Sequence, residues 1–138
     1  MRYLGLDLGT KTLGISISDE TKTIASTLTT IKFEDSEKLY GELEEIIRTY
    51  NIEKIVLGFP KNMNNSIGER AESTIEFKEK LESILNIEVI LQDERLSTVA
   101  ANNYMLEADM SRKKRKDNVD KIAANIILQT YLDIEKGR

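Results

Sequence analysis

Arg2-Tyr-Leu-Gly-Leu-Asp-Leu-Gly-Thr10, followed at once by Lys11-Thr-Leu-Gly-Ile-Ser-Ile-Ser18, decides the architecture. The two runs read as strands over residues 2–9 and 12–19, joined by a tight turn at Thr10-Lys11. In the second, Leu13, Ile15 and Ile17 alternate with Gly14, Ser16 and Ser18, the period of two of a half-buried strand. In the first, Asp7 stands between Leu6 and Leu8. A carboxylate there costs on the order of several kcal/mol to desolvate unless a cation, backbone amides or a metal holds it. It shares a strand face with Gly5 and Gly9, while Leu4, Leu6 and Leu8 face the other way. An aspartate before glycine often fixes a turn through its own side chain. Asp7 lies three residues ahead of the turn, so that role accounts for it poorly.

Outward from this hairpin, residues 23–33 are rich in Thr and Ile and read as a third strand, completing an antiparallel meander. Leu39, Leu43, Ile46, Ile47 and Tyr50 then fall at helical spacing, with Asp35 or Ser36 as N-cap. Lys54–Phe59 is a short apolar strand closed by Pro60. A helix over 66–85 follows, with Ser66 and Glu69 as a capping box and Ala71, Ile75, Phe77, Leu81 and Ile84 as its stripe. Residues 87–92 read as a fifth strand and 97–107 as a helix. The final helix is expected to start near Asn118, with Ile122, Ala123, Ile126, Ile127 and Tyr131 toward the core. The order βββαβαβαα predicts one α/β domain over 1–138. Its sheet has five strands, three antiparallel and two parallel, with helices on both faces. Strand 4 is expected beside strand 1, and their carboxyl ends are where such an open sheet carries its site.

The chain has 138 residues, no cysteine and no histidine. Disulfides, iron–sulfur clusters, histidine-ligated metals and any Ser-His-Asp triad are thereby excluded. Enzymatic chemistry would fall to carboxylates, whose oxygens favour hard cations, chiefly Mg2+ or Mn2+. No apolar run approaches a membrane span and no signal peptide opens the chain, so the expectation is a cytoplasmic protein with no membrane partner. The net charge of −4 hides a local reversal, Arg112, Lys113, Lys114, Arg115 and Lys116 in succession.

Four further places attract attention. Gln92-Asp-Glu-Arg95 ends the fifth strand, where alternation lets only one of Asp93 and Glu94 share a cleft with Asp7. Asp120 is expected in the first turn of the last helix, where its dipole alone would favour an acid. It shares a face with Ala123, Ala124 and Ile127, and small residues permit close approach to the sheet. Asp117 flanks it, expected in the loop. The loop carrying Asn62, Asn64, Asn65 and Ser66 leads to Gly68 at a helix start, a setting that suits a phosphate oxygen. The run Arg112–Lys116 is expected to form a flexible loop that clamps a polyanionic backbone, with strong salt dependence.

Asp7-Leu-Gly-Thr-Lys-Thr-Leu-Gly14, Val56-Leu-Gly-Phe-Pro60 with Asn62-Met-Asn-Asn-Ser-Ile-Gly68, Asp93-Glu-Arg-Leu-Ser-Thr98, and Val119-Asp-Lys-Ile-Ala-Ala124 with Ile127-Leu-Gln-Thr-Tyr-Leu132 resemble, in order and spacing, the YqgF family. That family is also called RuvX, the Holliday-junction-resolvase-like or pre-16S rRNA nucleases. The resemblance spans nearly the whole chain and implies an RNase H-like fold. It implies Asp7, Glu94 and Asp120 as catalytic residues holding Mg2+ or Mn2+ for phosphodiester hydrolysis. Two such ions ~4 Å apart serve attacking and leaving oxygens, though a single ion stays open. The candidate nucleic-acid contacts are Lys11, Asn62, Asn64, Ser66, Gly68, Arg70, Arg95 and Arg112 to Lys116. The expected substrate is pre-16S rRNA, cut in 5′-end processing during ribosome biogenesis. The alternatives are a Holliday-junction resolvase on branched DNA, which needs a dimer, and a non-catalytic nucleic-acid adaptor. Asp-Leu-Gly-Thr before a hairpin also resembles the phosphate loop of actin-like and sugar-kinase folds, which need two such domains. Nothing in the sequence chooses between monomer and homodimer.

Overall fold

The computed structural model describes residues 1–9, 11–59, 69–93 and 112–137. Strands β1 (Arg2–Leu8), β2 (Thr12–Ser18) and β3 (Ala25–Lys32) form the expected meander. Helix α1 (Ser36–Tyr50) leads to β4 (Ile52–Phe59), α2 (Glu69–Leu85) leads to β5 (Glu88–Asp93), and α3 (Arg112–Glu135) follows. The sheet order is β3-β2-β1-β4-β5, with β1 to β3 antiparallel and β4 and β5 parallel to β1. Each parallel strand is reached by a crossover, because a tight turn joins only antiparallel neighbours. Around α1 the expected N-cap is in place. The Asp35 carboxylate accepts the Glu37 N–H at 2.9 Å, and Asn51 ends the helix in the left-handed region (φ 57°).

Each face of the sheet has its own core. Leu4, Leu6, Leu13, Ile15, Ile55 and Leu57 meet Leu39 and Leu43 of α1 and Phe77 and Leu81 of α2. On the other face Tyr3 and Val56 meet Ile127, Leu128 and Leu132 of α3. Helices therefore cover both faces.

Three expectations change. First, β2 is buried on both faces: Gly14, Ser16 and Ser18 lie in the interior rather than in water. Their small side chains leave room for a helix where solvent was expected. Second, Ile84 is 54% exposed, while Thr74 is 3% exposed and takes the inward place between Ala71 and Leu81. Positions 71, 74, 78, 81 and 85 follow one helical stripe, and Ile84 falls on its rim. Third, α3 begins at Arg112 rather than near Asn118, so Arg112–Lys116 and Asp117 are helical and not a loop. Lys and Arg are good helix formers, no Gly or Pro interrupts 112–135, and like charges on a helix cost only a few tenths of a kcal/mol per pair. The helix expected over 97–107 and the capping box at Ser66 lie outside the described residues.

Candidate active site

Asp7 lies at the carboxyl end of the central strand and is 8% exposed. Across the ladder it faces Gly14 of β2. On the other side the register Leu6–Leu57, carried one residue further, brings Gly58 level with it. Both neighbouring strands thus present a glycine, with no side chain, beside Asp7. A short turn follows, in which the Gly9 N–H donates to Thr12 O at 2.8 Å, and Lys11 there is exposed.

The same face carries α3. Ser16, 0% exposed, donates its hydroxyl to Ala124 O at 2.8 Å. Gly5 is its ladder partner. A Cβ on Gly5 would collide with Ser16 Oγ and lie 2.7 Å from Leu128 Cβ and 3.0 Å from Ala124 O. Glycine here is required by the close approach of the helix backbone. At the amino end of β1, the Tyr3 hydroxyl donates to Glu135 Oε1 at 3.0 Å and the Tyr3 ring lies 6.0 Å from that of Tyr131. Helix α3 thus runs antiparallel to β1, residues 131–135 at Tyr3 and 124–128 at Gly5.

Asp120 is in α3 just over two turns from Arg112, so the helix-start dipole expected to favour an acid there does not account for it. On β5, Gln92 pairs with Gly58 and Asp93 with Phe59. Val89 is buried against the α1/α2 core, and alternation puts Leu91 and the exposed Asp93 on that same face, away from Asp7. Arg70 is in the first turn of α2, and Arg112 to Lys116 open α3. Glu94, Arg95, Asn62, Asn64, Ser66 and Gly68 lie outside the described residues. Among the described residues no three acidic side chains gather around one point.

Sequence reasoning misses the Gly5–Ser16–Ala124 contact, although the small residues Gly5, Gly14 and Ser16 on adjacent strands, opposite Ala123-Ala124, are its signal. It also misses a cationic cluster at the far end of the sheet. There Lys54 Nζ donates to the Tyr131 hydroxyl at 3.2 Å, lies 3.6 Å from both Glu88 and Glu135, and sits 4.8 Å from the Tyr3 ring centroid. Burial pulls the ammonium down, but the Tyr131 hydroxyl and the charges around it outweigh that, so its pKa is raised and Lys54 stays cationic. The Tyr3 hydroxyl is raised by burial and by its bond to Glu135.

A family model described as RuvX, Holliday junction resolvase, matches residues 1–134. A protein of Bacillus cytotoxicus named "Putative pre-16S rRNA nuclease" is 53% identical over 135 residues, covering 96% of this chain and 98% of that one. Among solved structures, Fowlpox virus resolvase in complex with Holliday junction DNA superposes with a TM-score of 0.61 at 14% identity, covering 98% of this chain and 99% of that chain. RuvC of T. thermophilus in complex with a Holliday junction substrate gives 0.59 at 13%, covering 99% and 97%. At such identities the likeness is one of fold, an RNase H-like sheet.

Proposed function

The chain belongs to the RuvX family, and from that membership we propose a nuclease that hydrolyses phosphodiester bonds with Mg2+ or Mn2+ in 5′-end processing of pre-16S rRNA. The observation that carries this is the buried Asp7 carboxylate, paired with Gly14 across the ladder at the carboxyl end of the central strand. Asp120 precedes Ala124 by four residues, about 6 Å of helix rise, and Asp7 follows Gly5 by two, about 6.6 Å of strand. That match in level supports Asp120 as the second carboxylate. Asp93 belongs to the opposite face, and strand alternation therefore supports Glu94 as the third.

The donor set fits a hard cation. A chain without histidine or cysteine offers only oxygen here, and converging carboxylates repel one another until a cation relieves them. Asp7, Glu94 and Asp120 would hold the ion. When bound, it supplies Lewis acidity toward a phosphoryl oxygen and a water of lowered pKa. The protein's own part is to keep Asp7 shielded from bulk water, so that its charge is expressed at full strength toward what approaches it. The exposed Lys11 ammonium beside the turn is suited to a phosphate of the same backbone, and Arg112–Lys116 to phosphates further along it.

The test is a cleavage assay with Mg2+ or Mn2+ on precursor rRNA, single-stranded RNA and a four-way DNA junction. Asp7→Asn is expected to lose at least about 100-fold in rate, beyond what losing a residue that only supports a ligand costs, while still binding the nucleic acid. Cleavage by Asp7→Asn at the wild-type rate overturns the assignment. The family's description as Holliday junction resolvase favours branched DNA as the second reading. Preferential cutting of the junction by a stable dimer would select it.

A further inference from the structure

We propose that Gly5 and Ser16 form a seat that fixes the axial position of α3, making Ser16 a positioning residue for the cation held between Asp7 and Asp120. The inference rests on the nuclease reading above. Its basis is that one fully buried hydroxyl reaches a main-chain carbonyl in the middle of a helix, Ser16 Oγ to Ala124 O at 2.8 Å. That hydroxyl occupies the space a side chain at residue 5 would take. Leu128 Cβ rests on the same gap, so the helix meets β1 and β2 at one defined point. Apolar contacts tolerate sliding, because dispersion is non-directional; a hydrogen bond is not, and the other directional ties, at Gln129, Tyr131 and Glu135, lie further along α3, away from Asp120.

The seat lies two residues before Asp7 on β1, and Ser16 lies two beyond Asp7's partner Gly14 on β2. Asp120 is one turn from Ala124, the residue that receives the bond. A shift of α3 by even a fraction of a turn would therefore change the separation of the two carboxylates directly. A cation with short oxygen bonds, at about 2.0–2.1 Å for Mg2+, tolerates little of that.

Ser16→Ala and Gly5→Ala are compared with wild type, with Asp7→Asn, and with Ile31→Val as a core change on the opposite face. Mn2+ affinity is measured calorimetrically without nucleic acid, followed by kcat and KM for cleavage and by Tm. Ser16→Ala is expected to weaken Mn2+ at least fivefold and to lower kcat about tenfold with KM for the nucleic acid within twofold. Ser16→Cys, which restores a donor, is expected to recover part of the affinity. Ile31→Val shifts Tm alone. Gly5→Ala is expected to show the same pattern more severely; should it not fold, Ser16→Ala decides. If Ser16→Ala binds Mn2+ like wild type while Asp7→Asn does not, the seat is wrong and the nuclease reading stands. If wild type itself binds no Mn2+, both fall.

Discussion

Asp19 closes the β2–β3 connection with one side chain. Its Oδ2 accepts from the Thr21 hydroxyl at 2.6 Å, and Oδ1 accepts the N–H groups of Thr23 and Ile24 at 2.8 and 3.1 Å. The Thr21 hydroxyl first, and then the two amides, hold its carboxyl down from the ordinary 3.8 to about 2. A pKa depressed by folding contributes stability that is complete above the unfolded value and is lost as pH falls through the folded one. The urea midpoint is therefore expected to drop between about pH 4 and pH 2 through this group. Because Asp19 is solvated the drop is small, and it should be shallower in Asp19→Asn. Equal slopes for the two proteins would remove the role. Asp7 is legible from sequence because its apolar neighbours leave it no solvent. Ser16 is not, since a serine alternating with isoleucine looks the same whether water or a helix from residue 124 lies above it.

At the scale of the element, α3 is held from both ends of its buried half. Ser16 fixes it near Asp7, and the Lys54 cluster fixes it at Tyr131 and Glu135. Gln129 adds a third tie, its Oε1 accepting the Ala25 N–H at 2.8 Å and its Nε2 donating to Thr23 O at 3.0 Å. Lys54→Met is expected to destabilise the protein by about 1–2 kcal/mol, less than breaking a fully buried pair because both glutamates keep some water. Amide hydrogen exchange in the last turns of α3 should accelerate with it, and unchanged protection there would rule the tie out. Helix α1 is legible because cap and stripe agree with one another. The start of α3 is not. A run of cations has no apolar period, so solvated loop and solvated helix read alike, and only the absence of Gly and Pro favours the helix. The third acidic position stays a matter of alternation, because the described part of β5 stops at Asp93.

Across the whole molecule, order of strands and division of the core follow from the hydrophobic pattern, because each helix must cover a face and parallel neighbours need crossovers. Charge distribution adds what the net value of −4 hides, five cations in the first turns of the helix that reaches toward Asp7. Replacing Arg112–Lys116 by Ala is expected to weaken nucleic-acid binding and flatten its salt dependence. Log affinity against log salt should lose about 0.7 of slope per contact on a single strand and about 0.9 on a duplex. Affinity and slope equal to wild type would show that these cations face only water. The two cores also differ in when they can form. The larger one, on the α1/α2 face, is complete once β5 exists, whereas the other waits for α3, which is translated after all five strands. During synthesis, then, the five strands can emerge while the helix is still in the exit tunnel. A nascent chain would hold its strands in register yet lack the helix that covers the other face. That face of the sheet is therefore the last to be covered, after every strand is already in the chain.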